Sequence, residues 1–299
     1  MTSDRLAADL AFIGHMCFDE VIQFEGSPRV APGSAVLCGA LAAARIGTRV
    51  AVVTRMAPHD EEILAPMRQS GIAVHVIPTD VTTYMKVVHP SSDVDDREMF
   101  QLASAGMFIP SDIPALEVHQ VHLAGITNQE FDLSFVREMK ARGYRLSADM
   151  QSFVRQVDPE TRLVSFGDVV DKAAITELLD VVKLDVVEAR VLTGTDDLER
   201  AAVVFEGWGS PETVITRADG VLARVNGQTY WEPFSNRSVV GRTGRGDTTF
   251  AAYMACRRDH DPGDSLRFAA ALVSLKMEKA GPFDGTRADV LERMSKAAR

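Results

Sequence analysis

Short apolar segments alternate with segments of helical spacing through most of this 299-residue chain. The apolar segments, which we predict to be buried strands, are residues 10–14, 50–54, 120–125, 144–148, 181–184 and 213–216. The segments with helical spacing are residues 34–46, 61–70, 133–142, 173–179, 198–208 and 247–257. This alternation predicts an α/β fold with a mostly parallel central sheet and helices on both of its faces. In such sheets, ligands bind beyond the carboxyl ends of the strands.

Two segments, residues 20–31 and 78–110, interrupt the alternation. Both are extended and punctuated by proline, and the second contains a charged turn at residues 93–98 between β-prone stretches. We predict that they form a small β-sheet that projects from the main domain and acts as a lid. The α/β core is then made of residues 1–19, 32–77 and 111–299. A pair of ordinary surface loops is the alternative, although long structureless loops are uncommon.

The composition limits which binding partners and which cellular compartment we expect. A formal net charge of -10 provides no basic face, so a nucleic acid is not an expected partner, although backbone amides can still bind a small anion. Three cysteines, Cys17, Cys38 and Cys256, are scattered without a Cys-x-x-Cys spacing, which favours a reducing compartment, and we expect the cytoplasm. No apolar run approaches the ~18 residues of a membrane span, so neither a span nor a signal peptide is expected.

The segment from Gly241 to Asp247 carries the clearest chemical signal. It reads Gly-Arg-Thr-Gly-Arg-Gly-Asp and leads directly into a helix-forming stretch. Glycines before a helix allow several free backbone N–H groups to point at one ligand. Gly244 and Gly246 lack a Cβ atom, and the helix dipole adds partial positive charge. We therefore expect a phosphate cradle that stabilises the negative charge of a transferring phosphoryl group.

Asp247 follows the glycine turn at the start of the predicted helix. An aspartate beside a phosphate cradle can orient a substrate hydroxyl and accept its proton, which makes Asp247 the candidate base. The alternative is a helix N-cap, and both roles can coexist. Neither the Gly-Lys-Ser/Thr of a Walker A loop nor a Gly-x-Gly-x-x-Gly fingerprint is present, so these nucleotide-binding classes are disfavoured.

This segment resembles the C-terminal signature of the ribokinase-like carbohydrate kinases, the PfkB family, which reads Asp-x-Thr-Gly-Ala-Gly-Asp-x-Phe with small variations. The matching residues are Thr243, Gly244, Gly246 and Asp247, and Phe250 lies nearby, one residue beyond the position of the signature phenylalanine. The resemblance implies a ribokinase-like fold, ATP as phosphoryl donor, Mg²⁺ as cofactor and a sugar-like hydroxyl as acceptor. It also implies that Gly244, Arg245 and Gly246 form the anion hole and that Asp247 is the base.

The resemblance covers nearly the whole chain and extends to the acceptor side. Ile13-Gly14 followed by Asp19 is similar to the first strand of the family, and Pro32-Gly33-Ser34-Ala35 is similar to its Pro-Gly-Gly-x-x-x-Asn substrate turn. Residues 149–155 and 276–283 resemble the branch of the family that includes inositol kinases. The acceptor residues implied by these similarities are Asp19, Gly33, Ser34, Cys38 and Asp149. For Asp19 alone, a strand-end turn is the alternative.

On the donor side, Asp185-Val186-Val187-Glu188 resembles the family's Asn-x-x-Glu motif. That similarity implies that Glu188 organises Mg²⁺ and phosphates through water, while a solvated helix charge is the alternative. Residues 214–220 are similar to the family's Thr-x-Gly turn at the nucleotide. The donor residues implied in this way, besides Glu188, are Asp185, Thr216, Arg217, Gly220 and Thr243.

The sequence also departs from the family pattern. Gly241 and Arg245 replace the aspartate and the alanine of the signature, and Arg242 replaces the proline that is usual at its variable second position. The two arginines can neutralise phosphate charge. Cys38 replaces the asparagine that binds the acceptor in ribokinase-type enzymes, which makes ribose a less expected acceptor.

Several functions stay open on the sequence alone. The first is a kinase for a sugar or cyclic polyol, with an inositol kinase or a nucleoside kinase as narrower possibilities. A catalytically weak sensor of a sugar or nucleotide is the alternative from another class. Lid strands can pair between subunits, so a homodimer is possible.

Overall fold

The computed structural model describes residues 5–91 and 97–297 of the chain. Its strands are β1 (Leu6–Ala7), β2 (Leu10–Ile13), β3 (Cys17–Ile22), β4 (Arg29–Gly33), β5 (Val50–Met56), β6 (Ala73–Pro78), β7 (Thr83–Val88), β8 (Glu98–Ala103), β9 (Leu116–Glu117), β10 (Gln120–Leu123), β11 (Leu146–Asp149), β12 (Arg155–Val157), β13 (Val164–Phe166), β14 (Val181–Asp185), β15 (Glu212–Thr216), β16 (Gly220–Val225) and β17 (Gln228–Pro233). Its helices are α1 (Ala35–Arg45), α2 (Ala65–Gln69), α3 (Leu133–Ala141), α4 (Gln151–Val154), α5 (Lys172–Glu177), α6 (Val186–Thr193), α7 (Leu198–Gly207), α8 (Arg245–Arg257), α9 (Pro262–Met277) and α10 (Arg287–Ala297), with 3₁₀ turns at Pro58–Leu64 and Pro110–Asp112. Within the described residues, no helix is both long enough and apolar enough to cross a bilayer.

The central sheet has nine strands in the order β17-β16-β15-β14-β11-β10-β2-β5-β6. Every pairing from β15 to β6 is parallel, with Leu10 of β2 opposite Gln120 of β10 on one side and Val50 of β5 on the other. Each of the six predicted strands lies in this parallel part, which confirms the α/β fold class.

Alternate residues along the strands point to two separate hydrophobic cores. In β2, Leu10 and Phe12 pack into one core with α1, α8 and α9, whereas Ala11 and Ile13 pack into the other with α3, α6 and α7. The side-chain period of a strand is two, so a strand buried on both faces serves both cores. The helices therefore cover both faces of the sheet, as predicted.

The strands β16 and β17 form an antiparallel hairpin at one edge of the sheet, which was not among the predicted elements. Asn226 and Gly227 connect the two strands with φ values of 46° and 84°. Asn-Gly is the dipeptide that favours a two-residue turn with positive φ at both positions. This dipeptide was therefore a usable signal for the hairpin.

A second, separate sheet has four strands in the order β4-β3-β7-β8. It contains the small sheet predicted from residues 20–31 and 78–110, and it also takes in residues 17–19 and 32–33, which we had placed in the core. Of the predicted charged turn at 93–98, only residues 97 and 98 lie within the described residues. The lid function of this sheet stays a prediction.

Two helices bring the signature segment next to the small sheet. The hydroxyl of Ser34 caps α1 by accepting a 3.0 Å hydrogen bond from the N–H of Leu37. Helix α8 is fixed to the sheet by Phe250, which is 1% exposed and packs 4.6 Å from the ring of His122 in β10. Both helices belong to the same hydrophobic core, so the start of α8 faces the start of α1.

Candidate active site

The carboxyl ends of three neighbouring parallel strands carry predicted site residues. Asp149, Asp185 and Thr216 are the last residues of β11, β14 and β15, and Asp185 lies opposite Thr216 in the ladder. These residues therefore share one edge of the sheet, where ligands of parallel α/β sheets bind.

The glycine turn before α8 has the conformation of an anion cradle. Gly244 is the N-cap, with a φ of 76°, which is favourable for glycine only. The N–H groups of Gly246 and Asp247 belong to the first helical turn, where no intrahelical acceptor exists. A Cβ atom on Gly246 would lie 3.0 Å from Nζ of Lys183 and 3.5 Å from Oγ1 of Thr216. The turn thus lies directly above the ends of β14 and β15.

Asp247 is half-buried and is the third residue of α8. Because the N-cap is Gly244, the alternative that Asp247 is itself the cap is wrong. Burial raises the pKa of Asp19, the hydrogen bond from Cys17 opposes this shift, and the negative charge of Asp247 adds to it. The carboxylates of Asp247 and Asp19 are therefore near enough to influence each other.

The acceptor side is built around Asp19. Oδ1 of Asp19 accepts a 3.3 Å hydrogen bond from the thiol of Cys17, and a Cβ atom on Gly33 would fall 1.9 Å from Oδ2. Gly33 therefore makes room for this carboxylate. Cys38 reaches the same region, since a Cβ atom on Gly244 would lie 2.4 Å from its Sγ. Burial raises the pKa of Cys38 to about 12, so it is a neutral thiol.

Ser34, a predicted acceptor residue, uses its hydroxyl within the protein. The hydroxyl caps α1 and donates a 3.6 Å hydrogen bond to Sδ of Met16. Its backbone has a φ of 135° and a ψ of 161°, a region that is essentially restricted to glycine. The strain is consistent with the glycine that often occupies this position in the family signature.

Asp149, the other predicted acceptor residue, is 1% exposed and has internal partners for both oxygens. Oδ1 accepts the N–H of Gln151 at 3.1 Å, and Oδ2 accepts a hydrogen bond from Nζ of Lys183 at 2.6 Å. Burial raises the pKa of Asp149 to about 6, against the lowering effect of the Lys183 charge. Asp149 thus lies below the glycine turn, in a buried ion pair.

Arg97 lies within electrostatic range of Arg155 and Arg245, and Arg245 lies within range of Arg242. Partial loss of hydration lowers the pKa of Arg97, and the charge of Arg155 lowers it further. Partial burial likewise lowers the pKa of Arg245, with the charges of Arg242 and Arg97 adding to the effect. The shared influence of these cations indicates a concentrated positive potential, which suits a ligand with several negative charges. Arg242 and Arg245 belong to the signature segment and were predicted from it, whereas Arg97 and Arg155 are distant in the sequence and were not.

Glu188 is fully buried and joins Asp185 in a capping box at the start of α6. Oε2 accepts the N–H of Asp185 at 2.8 Å, whereas Oε1 has no hydrogen-bond partner among the described residues and lies 3.8 Å from Nη2 of Arg155. Burial raises the pKa of Glu188 to about 8, and the charge of Asp185 adds to this shift. A solvated helix charge, the alternative from the sequence, is therefore wrong.

The orphaned oxygen of Glu188 fits a role in holding a divalent cation. The described residues contain no cluster of three or more side chains that would ligate a metal on its own. Mg²⁺ usually binds through one or two carboxylates together with water and the phosphates of a substrate. Glu188 and Asp185 meet that requirement.

The turn at residues 217–220 lies at the edge of the donor side. The guanidinium of Arg217 forms a bidentate ion pair with Asp219, at 2.5 and 2.8 Å, and stacks 4.7 Å from the ring of Trp231. Gly220 is confined, since a Cβ atom would lie 2.4 Å from the Trp231 ring. Both predicted residues therefore support the hairpin next to the site.

Gly241, which replaces the first aspartate of the signature, is enclosed by the end of α9. A Cβ atom there would fall 1.7 Å from the carbonyl oxygen of Lys279 and 2.6 Å from that of Lys276. Its N–H donates to the carbonyl of Met277 at 2.8 Å. The carbonyl oxygens of Gly241 and Thr243 both accept hydrogen bonds from Nζ of Lys276. No side chain fits at position 241 without displacing the backbone.

The chain is similar to known proteins in sequence and in fold. The pfkB family carbohydrate kinases match residues 4–288. A pyrophosphate-dependent kinase in the ribokinase family, solved as a sulfate complex, is 31% identical, with a TM-score of 0.86 over 95% of this chain and 99% of that chain. A pyrophosphate-dependent kinase of this family with a pyrophosphate analogue and myo-inositol is 28% identical, with a TM-score of 0.85 over 95% and 99%. A cytidine kinase of Thermococcus kodakarensis is 26% identical over 83% of this chain and 87% of its own length.

Proposed function

This chain belongs to the pfkB family of carbohydrate kinases, and on that premise we propose that it transfers a phosphoryl group from inorganic pyrophosphate to a hydroxyl of a cyclic polyol. One observation carries the proposal. Asp247 lies at the end of the Gly244–Gly246 turn and within electrostatic range of Asp19, so that a base, an anion cradle and an acceptor carboxylate surround one space.

The proposed reaction follows from these positions. Asp19 accepts hydrogen bonds from acceptor hydroxyls and holds the ring, while Asp247 accepts the proton of the attacking hydroxyl. The hydroxyl oxygen bonds to one phosphorus of pyrophosphate while the P–O–P bond breaks and inorganic phosphate leaves. The N–H groups of Gly246 and Asp247 donate to the oxygens of the transferring phosphoryl group, where negative charge develops. A magnesium ion held near Glu188 and Asp185 would neutralise donor phosphate charge.

We propose pyrophosphate as the phosphoryl donor because of the positive charge near the glycine turn and because of the donors that similar proteins use. Arg97, Arg155, Arg242 and Arg245 suit a compact polyanion such as pyrophosphate. The solved structures similar to this chain at 28–31% identity include pyrophosphate-dependent kinases. ATP, the donor expected from the sequence, is the second candidate, and the turn at Thr216 and Gly220 beside the glycine turn favours it.

A cyclic polyol is the proposed acceptor because one of these relatives binds myo-inositol. The neutral thiol of Cys38 is a weak hydrogen-bond partner, unlike the asparagine expected for ribose, so Asp19 would supply most of the polar recognition. A nucleoside is the second candidate, favoured by the similarity to a cytidine kinase. A homodimer through the small sheet is likewise a proposal.

The experiment is a matrix of donors and acceptors with the purified protein and Mg²⁺. Pyrophosphate and ATP are each tested with myo-inositol, other inositols, ribose, fructose and cytidine, and the phosphorylated product is detected by phosphorus NMR. Product from pyrophosphate and an inositol, absent with Asp247→Asn, supports the proposal. Product from ATP alone, or from cytidine alone, favours the corresponding second candidate, and no product in any combination overturns the proposal.

A further inference from the structure

Lys276 is a buried cation placed against the loop that leads into the glycine turn. It lies one residue before the end of α9 and is 2% exposed. Its Nζ donates hydrogen bonds to the carbonyl oxygens of Gly241 and Thr243. Two backbone carbonyls of one short loop therefore converge on a single positive charge.

This arrangement is unusual for a lysine. Buried lysines are rare and are normally paired with a carboxylate, because an uncompensated charge in the interior is costly. Among the described residues, no carboxylate forms an ion pair with Lys276; the partners of its ammonium are carbonyl dipoles. Burial lowers the pKa of Lys276, and the negative charge of Asp247 opposes that shift. The ammonium is thus within electrostatic range of the proposed base.

The loop is held from a second direction as well. The N–H of Gly241 donates to the carbonyl of Met277, and the absence of a side chain at Gly241 allows the loop to approach the end of α9. Residues 241–243 precede Gly244, whose left-handed conformation sets the direction of the first N–H groups of α8. Any rotation of the Gly241 or Thr243 carbonyl would therefore change where those N–H groups point.

We propose that the ammonium of Lys276 acts as a built-in monovalent cation, which orders the carbonyls of Gly241 and Thr243 and thereby aims the anion cradle at the transferring phosphoryl group. Lys276 is a positioning residue in this proposal, since it acts through the loop. Converging carbonyl oxygens form the kind of site that holds a hard cation such as K⁺. Because the lysine fills it, activity needs no added K⁺ or NH₄⁺. The inference rests on the proposed function for its kinetic part only.

The kinetic experiment compares wild type, Lys276→Ala and Lys276→Met in buffers whose only other monovalent cation is tetramethylammonium, which is too large for the site. Turnover of the wild type should change less than about 2-fold when K⁺ or NH₄⁺ replaces tetramethylammonium. Lys276→Ala should lose about 10- to 100-fold in kcat, with acceptor KM nearly constant, because the cradle is misaligned. NH₄⁺ or K⁺ should restore much of that loss in Lys276→Ala but not in Lys276→Met, whose side chain fills the space.

Lys279→Ala is the matched control, because this neighbouring lysine is exposed and paired with Asp284. It should retain wild-type kcat in every buffer. A merely structural role for Lys276 predicts reduced stability without cation-specific rescue of kcat. Wild-type turnover that requires K⁺ or NH₄⁺, unchanged kcat in Lys276→Ala, or a loss that no cation restores would each overturn the proposal.

A second readout does not depend on turnover. The thermal unfolding temperature of Lys276→Ala should be higher in NH₄⁺ or K⁺ than in tetramethylammonium at equal ionic strength, whereas wild type and Lys279→Ala should show no such difference. If no donor and acceptor are turned over, the proposed function fails and this measurement alone decides about Lys276. If neither Lys276 variant folds, the cation dependence of wild-type turnover decides it.

Discussion

The ammonium of Lys183 lies 2.6 Å from Oδ2 of Asp149, directly below Gly246. The two residues face each other in the β11–β14 ladder, and their side chains are only 4% and 1% exposed. A buried ion pair of this kind contributes little net stability, but the loss of one partner leaves an uncompensated charge. The pair therefore holds the Lys183 ammonium in place beneath the proposed anion cradle.

The first prediction concerns this pair. Lys183→Met should reduce the free energy of unfolding by about 3 kcal/mol at pH 8, because it leaves the Asp149 carboxylate buried without a cation. Burial already raises the pKa of Asp149 to about 6, and loss of the ammonium raises it further. A carboxyl with a raised folded-state pKa gains stability when it is protonated, so the deficit should shrink as the pH falls from 8 toward 6.

The double variant Lys183→Met/Asp149→Leu is the control for that prediction. It removes both charges and should recover most of the lost stability while staying inactive, because the cradle has lost its support. Denaturant unfolding at several pH values measures both effects. A double variant as unstable as Lys183→Met, with no pH dependence, would show that the charge of Asp149 is not the cause.

The second prediction restores the family's aspartate. Gly241→Asp should lower the free energy of unfolding by about 3 kcal/mol or more, because its Cβ atom would meet the carbonyl oxygen of Lys279 at 1.7 Å and the backbone must move. Gly241→Ala should show most of the same loss. Gly207→Ala, at the open end of α7, is the control and should be neutral or slightly stabilising. Equal effects at the two glycines would refute the steric explanation.

The third prediction concerns the backbone of Ser34. Ser34→Gly relieves the backbone strain of a φ of 135°, which is about 1–3 kcal/mol. It also loses the helix cap, which costs only a few tenths of a kcal/mol when glycine is the replacement. The thermal unfolding temperature should therefore rise by about 2–4 °C. Ser34→Ala is the control, since it loses the cap and keeps the strain, and it should lower the unfolding temperature. A lower value for Ser34→Gly would mean that the cap outweighs the strain.

The parts of the site that the sequence predicted are those whose signal is local. The Gly-x-Gly-Asp turn, the motif from Asp185 to Glu188, and the parallel strands are each encoded by short patterns within one segment. Lys183 and Lys276 were missed as site residues because their partners, Asp149 and Gly241, are 34 and 35 residues away. Only tertiary packing brings such pairs together, and a single sequence carries no pattern for it. The Asn226-Gly227 hairpin was different, since its turn signal is local and was overlooked.

The fourth prediction tests the magnesium role of Glu188. Glu188→Gln keeps an oxygen that can accept the N–H of Asp185, so the capping box and the fold should persist. The neutral amide attracts a divalent cation less than a carboxylate does, and the Mg²⁺ concentration for half-maximal activity should rise about 10- to 100-fold. Thermal unfolding serves as the control for the fold. An unchanged Mg²⁺ requirement would remove Glu188 from the metal site.

The fifth prediction distinguishes the roles of Asp247 and Asp19, the two carboxylates next to the proposed acceptor. Asp247→Asn should lower kcat by about 10²–10⁴-fold with little change in acceptor KM, because the amide cannot accept the proton of the attacking hydroxyl. Asp19→Asn should mainly raise acceptor KM, because the amide replaces one of the acceptors that hold the ring and leaves the base in place. Both substitutions preserve size, so unfolding temperatures should stay near that of the wild type. If the two variants show the same split between kcat and KM, the assignment of separate roles is wrong, and the two carboxylates act as one unit.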